Sequence, residues 1–114
     1  MHELALTEGI IDIIRGEASK HGFSRCLEIR LRVGEYSGVL TECLRDCFAI
    51  AAKGTLAEGA ALRIESVPAA FQCPVCRWQG KLEKHADACP GCGSTAIRMI
   101  AGREFYVEDI KVEA

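Results

Sequence analysis

The chain has 114 residues, enough for one modest core and beside it a small module held by something other than apolar mass. Hydrophobic residues make up 49% and charged residues 26%, as in an ordinary globular domain, and no apolar run approaches the ~20 residues a membrane span requires. A net charge of −2 offers no general attraction to nucleic acid or anionic lipid, the opening Met1-His2-Glu3-Leu4 lacks the shape of a signal peptide, and seven cysteines, an odd number, argue against an oxidised framework, so a cytoplasmic protein is expected.

From Glu3 to about Lys20, Leu4, Ile11, Ile14 and Ala18 recur at helical spacing, and Leu6, Ile10 and Ile13 widen the stripe. Gly9 and Gly16 each weaken that helix by up to ~1 kcal/mol relative to Ala, so packing must supply most of its stability. Gly22 suits a C-terminal stop, and His21 beside it sits where positive charge is favourable. Cys26 to Val33 predicts a strand: Leu27, Ile29, Leu31 and Val33 alternate with Glu28, Arg30 and Arg32. Residues 34–38 form a loop. A second helix is predicted from Leu40 to Lys53, with Leu40, Cys43, Leu44, Cys47, Phe48 and Ala51 on one face and Gly54 ending it. Cys43 and Cys47 could bind metal or form a redox pair, but their apolar neighbours read as ordinary packing, as they do for Cys26. Leu62 to Pro68 predicts a second strand. A final strand spans Glu104 to Val112, its alternation slipping near Asp109 in the manner of a bulge.

Residues 71 to 102 carry the strongest chemical signal. Cys73-Pro-Val-Cys76 and Cys89-Pro-Gly-Cys92 are two Cys-x-x-Cys knuckles separated by twelve residues. Four thiolates with no vacancy describe a tetrahedral structural zinc site, against the alternatives of a disulfide pair or unrelated thiols. His85 in the intervening loop reads as solvated, with competition for the ion or pH sensing as the sharper alternative.

The strand–helix–strand order makes the first two strands parallel neighbours. The expected fold is α+β: a three-stranded mixed sheet with two helices on one face, and a small zinc-ribbon-like module inserted before the last strand. Residues 1–70, completed by 103–114, form one domain and residues 71–102 the other.

His2 adds a second metal chemistry. A free α-amine, the second residue's amide nitrogen and its imidazole can close fused chelate rings around one ion, a nitrogen-rich set that suits Ni(II) or Cu(II). Binding would strengthen with pH, since these groups must lose protons. The plain alternative is a frayed terminus. Glu3 could offer a carboxylate, a backbone nitrogen, or the negative charge favoured at a helix start.

Met1-His2-Glu3-Leu4 opening a helix, Val33-Gly34-Glu35-Tyr36-Ser37-Gly38-Val39 after the first strand, the two knuckles and the terminal Glu108-Asp109-Ile110-Lys111-Val112 together resemble the HypA/HybF family of hydrogenase nickel-incorporation proteins. The resemblance covers essentially the whole chain in the same order. Residues 5–9 (Ala5-Leu6-Thr7-Glu8-Gly9) depart mildly from the family's commoner Ser- or Cys-containing versions, with no consequence for the metal ligands. It implies a nickel metallochaperone that carries Ni(II) as cargo on the amine of Met1, His2 and the start of Glu3, with structural zinc on Cys73, Cys76, Cys89 and Cys92. It also implies delivery to the [NiFe]-hydrogenase large subunit with a nickel-handling GTPase, in some members also to urease through its accessory proteins. A monomer or weak homodimer is expected, with Glu8, Asp12, Arg15 and Glu17 as a docking face if not merely a solvated one.

Two rival functions come from other classes. A zinc-ribbon nucleic-acid or protein interaction module would use the basic residues of 71–102, but four of these face two acidic ones, and Trp78 is that segment's only Trp. A rubredoxin-like electron carrier would place iron in the same thiolates. No Ser/His/Asp set, carboxylate pair or phosphate-binding glycine loop points to an enzyme, so any nucleotide-driven step belongs to a partner.

Overall fold

The computed structural model describes residues 2–83 and 86–114, so Met1 of the expected nickel site and His85 of the zinc loop lie outside the described residues. Helix α1 spans Glu3–His21 and ends at Gly22, whose φ of 75° gives the left-handed cap that the glycine supplies without steric cost. Strand β1 (Arg25–Gly34), helix α2 (Thr41–Ala51) and strand β2 (Ala61–Val67) follow. Three short strands come next, β3 (Ala70–Gln72), β4 (Gln79–Gly80) and β5 (Arg98–Ala101), and β6 (Phe105–Glu113) closes the chain.

The first sheet has the order β2-β1-β6. β1 and β2 run parallel, Ile29 opposite Leu62 and Leu31 opposite Ile64. β6 returns antiparallel, Ile110 opposite Ile29 and Phe105 opposite Val33. The mixed three-stranded sheet with two helices is therefore the expected architecture. Ile10, Ile11 and Ile14 of α1 and Leu44 and Phe48 of α2 join Ile29, Leu31, Val33 and Leu62 in one core. The opposite face is charged: Arg30 and Arg32 each reach Glu65 and Glu108, and Glu28 pairs with Arg63 at 2.9 Å.

Three details differ from the sequence expectations. The buried stripe of α1 runs through Glu3, Thr7, Ile10, Ile11 and Ile14, leaving Leu4 and Ile13 about half exposed. The stripe can include two polar residues because both are satisfied internally. Thr7 Oγ1 donates to the Leu4 carbonyl at 2.7 Å, and Glu3 accepts from the Leu40 amide. In β1, Cys26 pairs with Val112 and Glu28 with Lys111, so Leu27 is an extra residue pushed outward. A second irregularity, between the Arg30–Asp109 and Leu31–Val107 pairs, leaves Glu108 extra on β6 and is the slip anticipated near Asp109.

The third difference concerns the α2 cysteines. The helix turns Leu44, Phe48 and Ala52 inward. Cys43 and Cys47 each precede an inward residue and are rotated out by about 100°. Cys43 is exposed and Cys47 half buried, so they are not the packing cysteines expected, whereas Cys26 is buried.

The second sheet, of order β4-β3-β5, was not anticipated. It joins the first through a tight crossing. A Cβ on Gly34 would lie 2.2 Å from the Gly102 carbonyl oxygen, and one on Gly102, at φ 124°, 2.8 Å from the Ala69 Cα. The backbones close because both residues lack side chains. Around them the Ala69 amide donates to Glu35 Oε1 at 2.8 Å and the Tyr36 amide to the Gly102 carbonyl at 2.6 Å. Tyr36 also meets Phe71 edge-on, ring centres 6.4 Å apart. Among the described residues, no helix is long and apolar enough to cross a membrane.

Candidate metal centres

The two knuckles fold alike, and the likeness explains how eight nearly adjacent residues aim four sulfurs at one point. In the first, the Arg77 amide donates to the Cys73 carbonyl at 2.9 Å and the Cys73 amide to the Trp78 carbonyl at 2.8 Å. In the second, the Gly93 amide donates to the Cys89 carbonyl and the Cys89 amide to the Ser94 carbonyl, both at 2.8 Å. The residue after each second cysteine takes a left-handed conformation: Gly93 at φ 77°, and Arg77 at φ 68°, the only non-glycine residue with positive φ among those described. In each knuckle the first cysteine is buried and the second exposed.

All four Sγ atoms lie within 4.8 Å of one another. Cys73 and Cys92 are 3.6 Å apart, as are Cys76 and Cys89. Tetrahedral zinc with Zn–S bonds near 2.3 Å needs sulfurs about 3.8 Å apart, so the cluster fits a four-thiolate ion without rearrangement. The Gly91 amide, 3.3 Å from Cys89 Sγ, adds a donor that stabilises a thiolate. The Cys76 amide foremost holds the Cys73 thiol down to about 7. Cys92 is pulled down by the Ser94 amide but pushed up to about 12 by desolvation and by the thiols of Cys73, Cys76 and Cys89. Four sulfurs gathered this closely are suited to hold one cation, whose charge would offset the repulsion among thiolates.

At the other end of the chain, His2 is exposed, holds φ −97° and ψ 6°, and caps α1 without a side-chain hydrogen bond. Its carbonyl accepts the first helical bond, from the Leu6 amide at 2.9 Å. Glu3 behaves differently. It is 2% exposed, and its Oε2 accepts from the Leu40 amide at 3.1 Å, tying the start of α1 to the start of α2. Its carboxyl is held at about 2, with the Leu40 amide among the hydrogen bonds that keep it ionised. The sequence alone gave no sign of this tie, since it joins residues 37 apart.

Similarity to known proteins extends over nearly the whole chain. Residues 1–112 match the family model described as hydrogenase/urease nickel incorporation, metallochaperone, HypA. The chain is 40% identical over 112 residues to hydrogenase maturation factor HypA of Beijerinckia indica, covering 98% of this chain and 99% of that protein. It is 39% identical over 113 residues to HypA of Geobacter sulfurreducens, covering 99% and 100%. To hydrogenase maturation factor HybF of Klebsiella pneumoniae it is 37% identical, again covering 99% and 100%. Its fold is similar to a solution structure of HypA protein, with a TM-score of 0.76 at 18% identity, covering 98% of this chain and 96% of that one. The solution structure of the Ni metallochaperone HypA from Helicobacter pylori gives 0.72 at 20% identity, covering 100% and 99%. This is a family of maturation factors and metallochaperones, not of catalysts, and the chain belongs to it: it is a member of the HypA family.

Proposed function

We propose that the chain captures Ni(II) as cargo at its amino terminus and delivers it for [NiFe]-hydrogenase maturation, while zinc on Cys73, Cys76, Cys89 and Cys92 holds the second sheet together. The amine of Met1, the imidazole and amide of His2 and the start of Glu3 form the nickel site. The observation that carries this reading is the contrast between neighbours: the His2 side chain stands exposed at the head of α1 and makes no capping hydrogen bond, while the Glu3 carboxylate is buried and accepts from the Leu40 amide. Glu3 therefore contributes through its backbone nitrogen, and its side chain fixes the helix from which the ligands project. A site open on one side captures an ion and surrenders it, whereas the enclosed four-thiolate cluster keeps its own.

Residues 1–70 with 103–114 act as the nickel-handling domain and 71–102 as the zinc domain. The partners are a nickel-handling GTPase and the hydrogenase large subunit, and the family's description extends the same role to urease maturation. They dock against the outer face of α1, where exposed Glu8, Asp12 and Arg15 stand beside half-exposed Leu4. Adding Gly-Ser before Met1 moves the amine out of chelating position and leaves His2 in place. Calorimetric titration should then show Ni(II) affinity reduced by about 100-fold or more, with zinc content intact. Undiminished affinity in the extended protein overturns the amino-terminal site.

A further inference from the structure

Cys43 and Cys47 have no part in the zinc cluster or in the core. They lie four residues apart on α2, so their Cβ atoms are neighbours on one helix face at about 5–6 Å. A disulfide needs Cβ atoms about 3.5–4.5 Å apart, which an intact helical turn does not provide, but two thiolates reaching from that separation can converge on one ion. Cys43 is exposed and borders an open groove with Leu40, Thr41, Glu42 and Asp46, so an ion arriving from water meets two carboxylates and then a thiol. The pair begins one helical turn after Leu40, whose amide is bound by Glu3. That bond ties the start of α2, from which the pair projects, to the head of α1.

We propose that Cys43 and Cys47 form a two-thiolate clamp for Ni(II), a second station next to the amino-terminal site. The proposal rests on the nickel-carrier reading and adds to it a position the ion occupies on leaving, or before reaching, the terminal nitrogens. Two thiols give up their protons to solvent as the ion binds, and the remaining coordination positions stay open to water or to a ligand from a partner. Desolvation and the adjacent Cys47 thiol raise the Cys43 pKa, as does the charge of Glu3. Nothing closes the shell: among the described residues, the zinc cysteines alone bring three or more ligand atoms together. A half-finished shell is what transfer requires.

The test uses the zinc-loaded full chain, reduced and oxygen-free, titrated with nickel sulfate while near-ultraviolet thiolate-to-nickel charge-transfer absorption is followed. The His2→Ala variant removes the terminal site and isolates the clamp. It should still bind about one equivalent of Ni(II) with the sulfur band present. Adding Cys43→Ser, an exposed and conservative change whose folding is checked by circular dichroism, should abolish the band and weaken residual binding at least about tenfold, with zinc content constant. Absence of a sulfur band in His2→Ala overturns the clamp. So does a band that persists unchanged with Cys43→Ser, which assigns the sulfur to the zinc cysteines. Failure of the amino-terminal reading is seen separately, as a wild-type nickel affinity that His2→Ala leaves unaltered.

Discussion

Replacing Cys73 by Ser should unfold one part of the chain and leave the rest standing. The serine keeps the size of the side chain but removes a buried thiolate from the cluster. The three strands around that cluster have three, two and four residues, and no described residue between 70 and 101 belongs to the hydrophobic core of the first sheet. Among the described residues of that stretch, the only fully covered side chains are Cys73 and Cys89 themselves, while Phe71 and Trp78 are half-buried. An ion held by the four cysteines would serve as the core of this unit. A structural zinc site contributes about 10–16 kcal/mol of apparent folding free energy at neutral pH, as much as the entire net stability of a typical domain. With one ligand lost, the second sheet has nothing comparable to hold it. The first sheet keeps Ile10, Ile14, Ile29, Leu31, Leu44 and Phe48 packed as before.

Segment-resolved hydrogen exchange with zinc analysis is the assay. Amides of residues 70–101 should exchange at rates near those of an unfolded chain, while those of β1 and the inner face of α1 stay protected and the helical dichroism is retained. Protection lost in equal measure from Ile14, Ile29 and Leu31 would refute the argument, because it would show that the two sheets fold as one cooperative unit.

Three further outcomes follow from particular contacts. Gly34→Ala drives a Cβ to within 2.2 Å of the Gly102 carbonyl oxygen, backbone against backbone, and should cost about 3 kcal/mol or more in denaturant unfolding. Gly16→Ala, in a helix interior with nothing within 4 Å of the new methyl, should gain up to about 1 kcal/mol in the same measurement. Glu28, whose carboxyl is lowered first by its hydrogen bond from Arg63, contributes stability that is present above the ordinary carboxylate value of 4.5 and lost as pH falls through its depressed native value; Glu28→Gln should therefore lower stability modestly at neutral pH, flatten the acid limb of the stability–pH curve below 4.5, and converge with the wild type at low pH.

Strong periodicity and ligand spacing were legible in the amino-acid order. Ile29, Leu31 and Val33 face the core as their alternation requires, and the slip on β6 falls beside Asp109. The four zinc-spaced cysteines converge because a Cys-x-x-Cys turn closes locally. What stayed hidden depends on contacts distant in sequence. Glu3 and Thr7 look like solvated positions until Leu40 and the Leu4 carbonyl are seen to satisfy them. Leu27 looks buried until the pairing of Cys26 with Val112 makes it the extra residue of a bulge. Cys43 and Cys47 share an apolar neighbourhood in sequence but not in space, since Leu44 and Phe48 take the inward positions. The strands of the second sheet are too short for any period to show. Their signal was the symmetry of the knuckles, visible in outline as Arg77 and Gly93 at matching places.

Residues 34–40 give these separate parts a common frame. At one end of the loop, Gly34, Glu35 and Tyr36 bond to Glu104, Val67 and Gly102, and Glu35 Oε1 also takes the Ala69 amide, so both chain crossings into the second sheet are fastened to the same three residues. At the other end, the Leu40 amide is held by Glu3. The head of α1 and the root of the second sheet are thus joined through seven residues whose backbone is bonded at both ends. Glycine is required at the crossing because a side chain would part the backbones, and a carboxylate at position 3 because a neutral side chain would hold Leu40 less tightly. The local order Gly-Glu-Tyr-Ser-Gly is therefore a structural joint more than a set of ligands. It fixes where the head of α1 and the four-cysteine module begin, and none of its five residues belongs to the cysteine cluster or to the proposed nickel site.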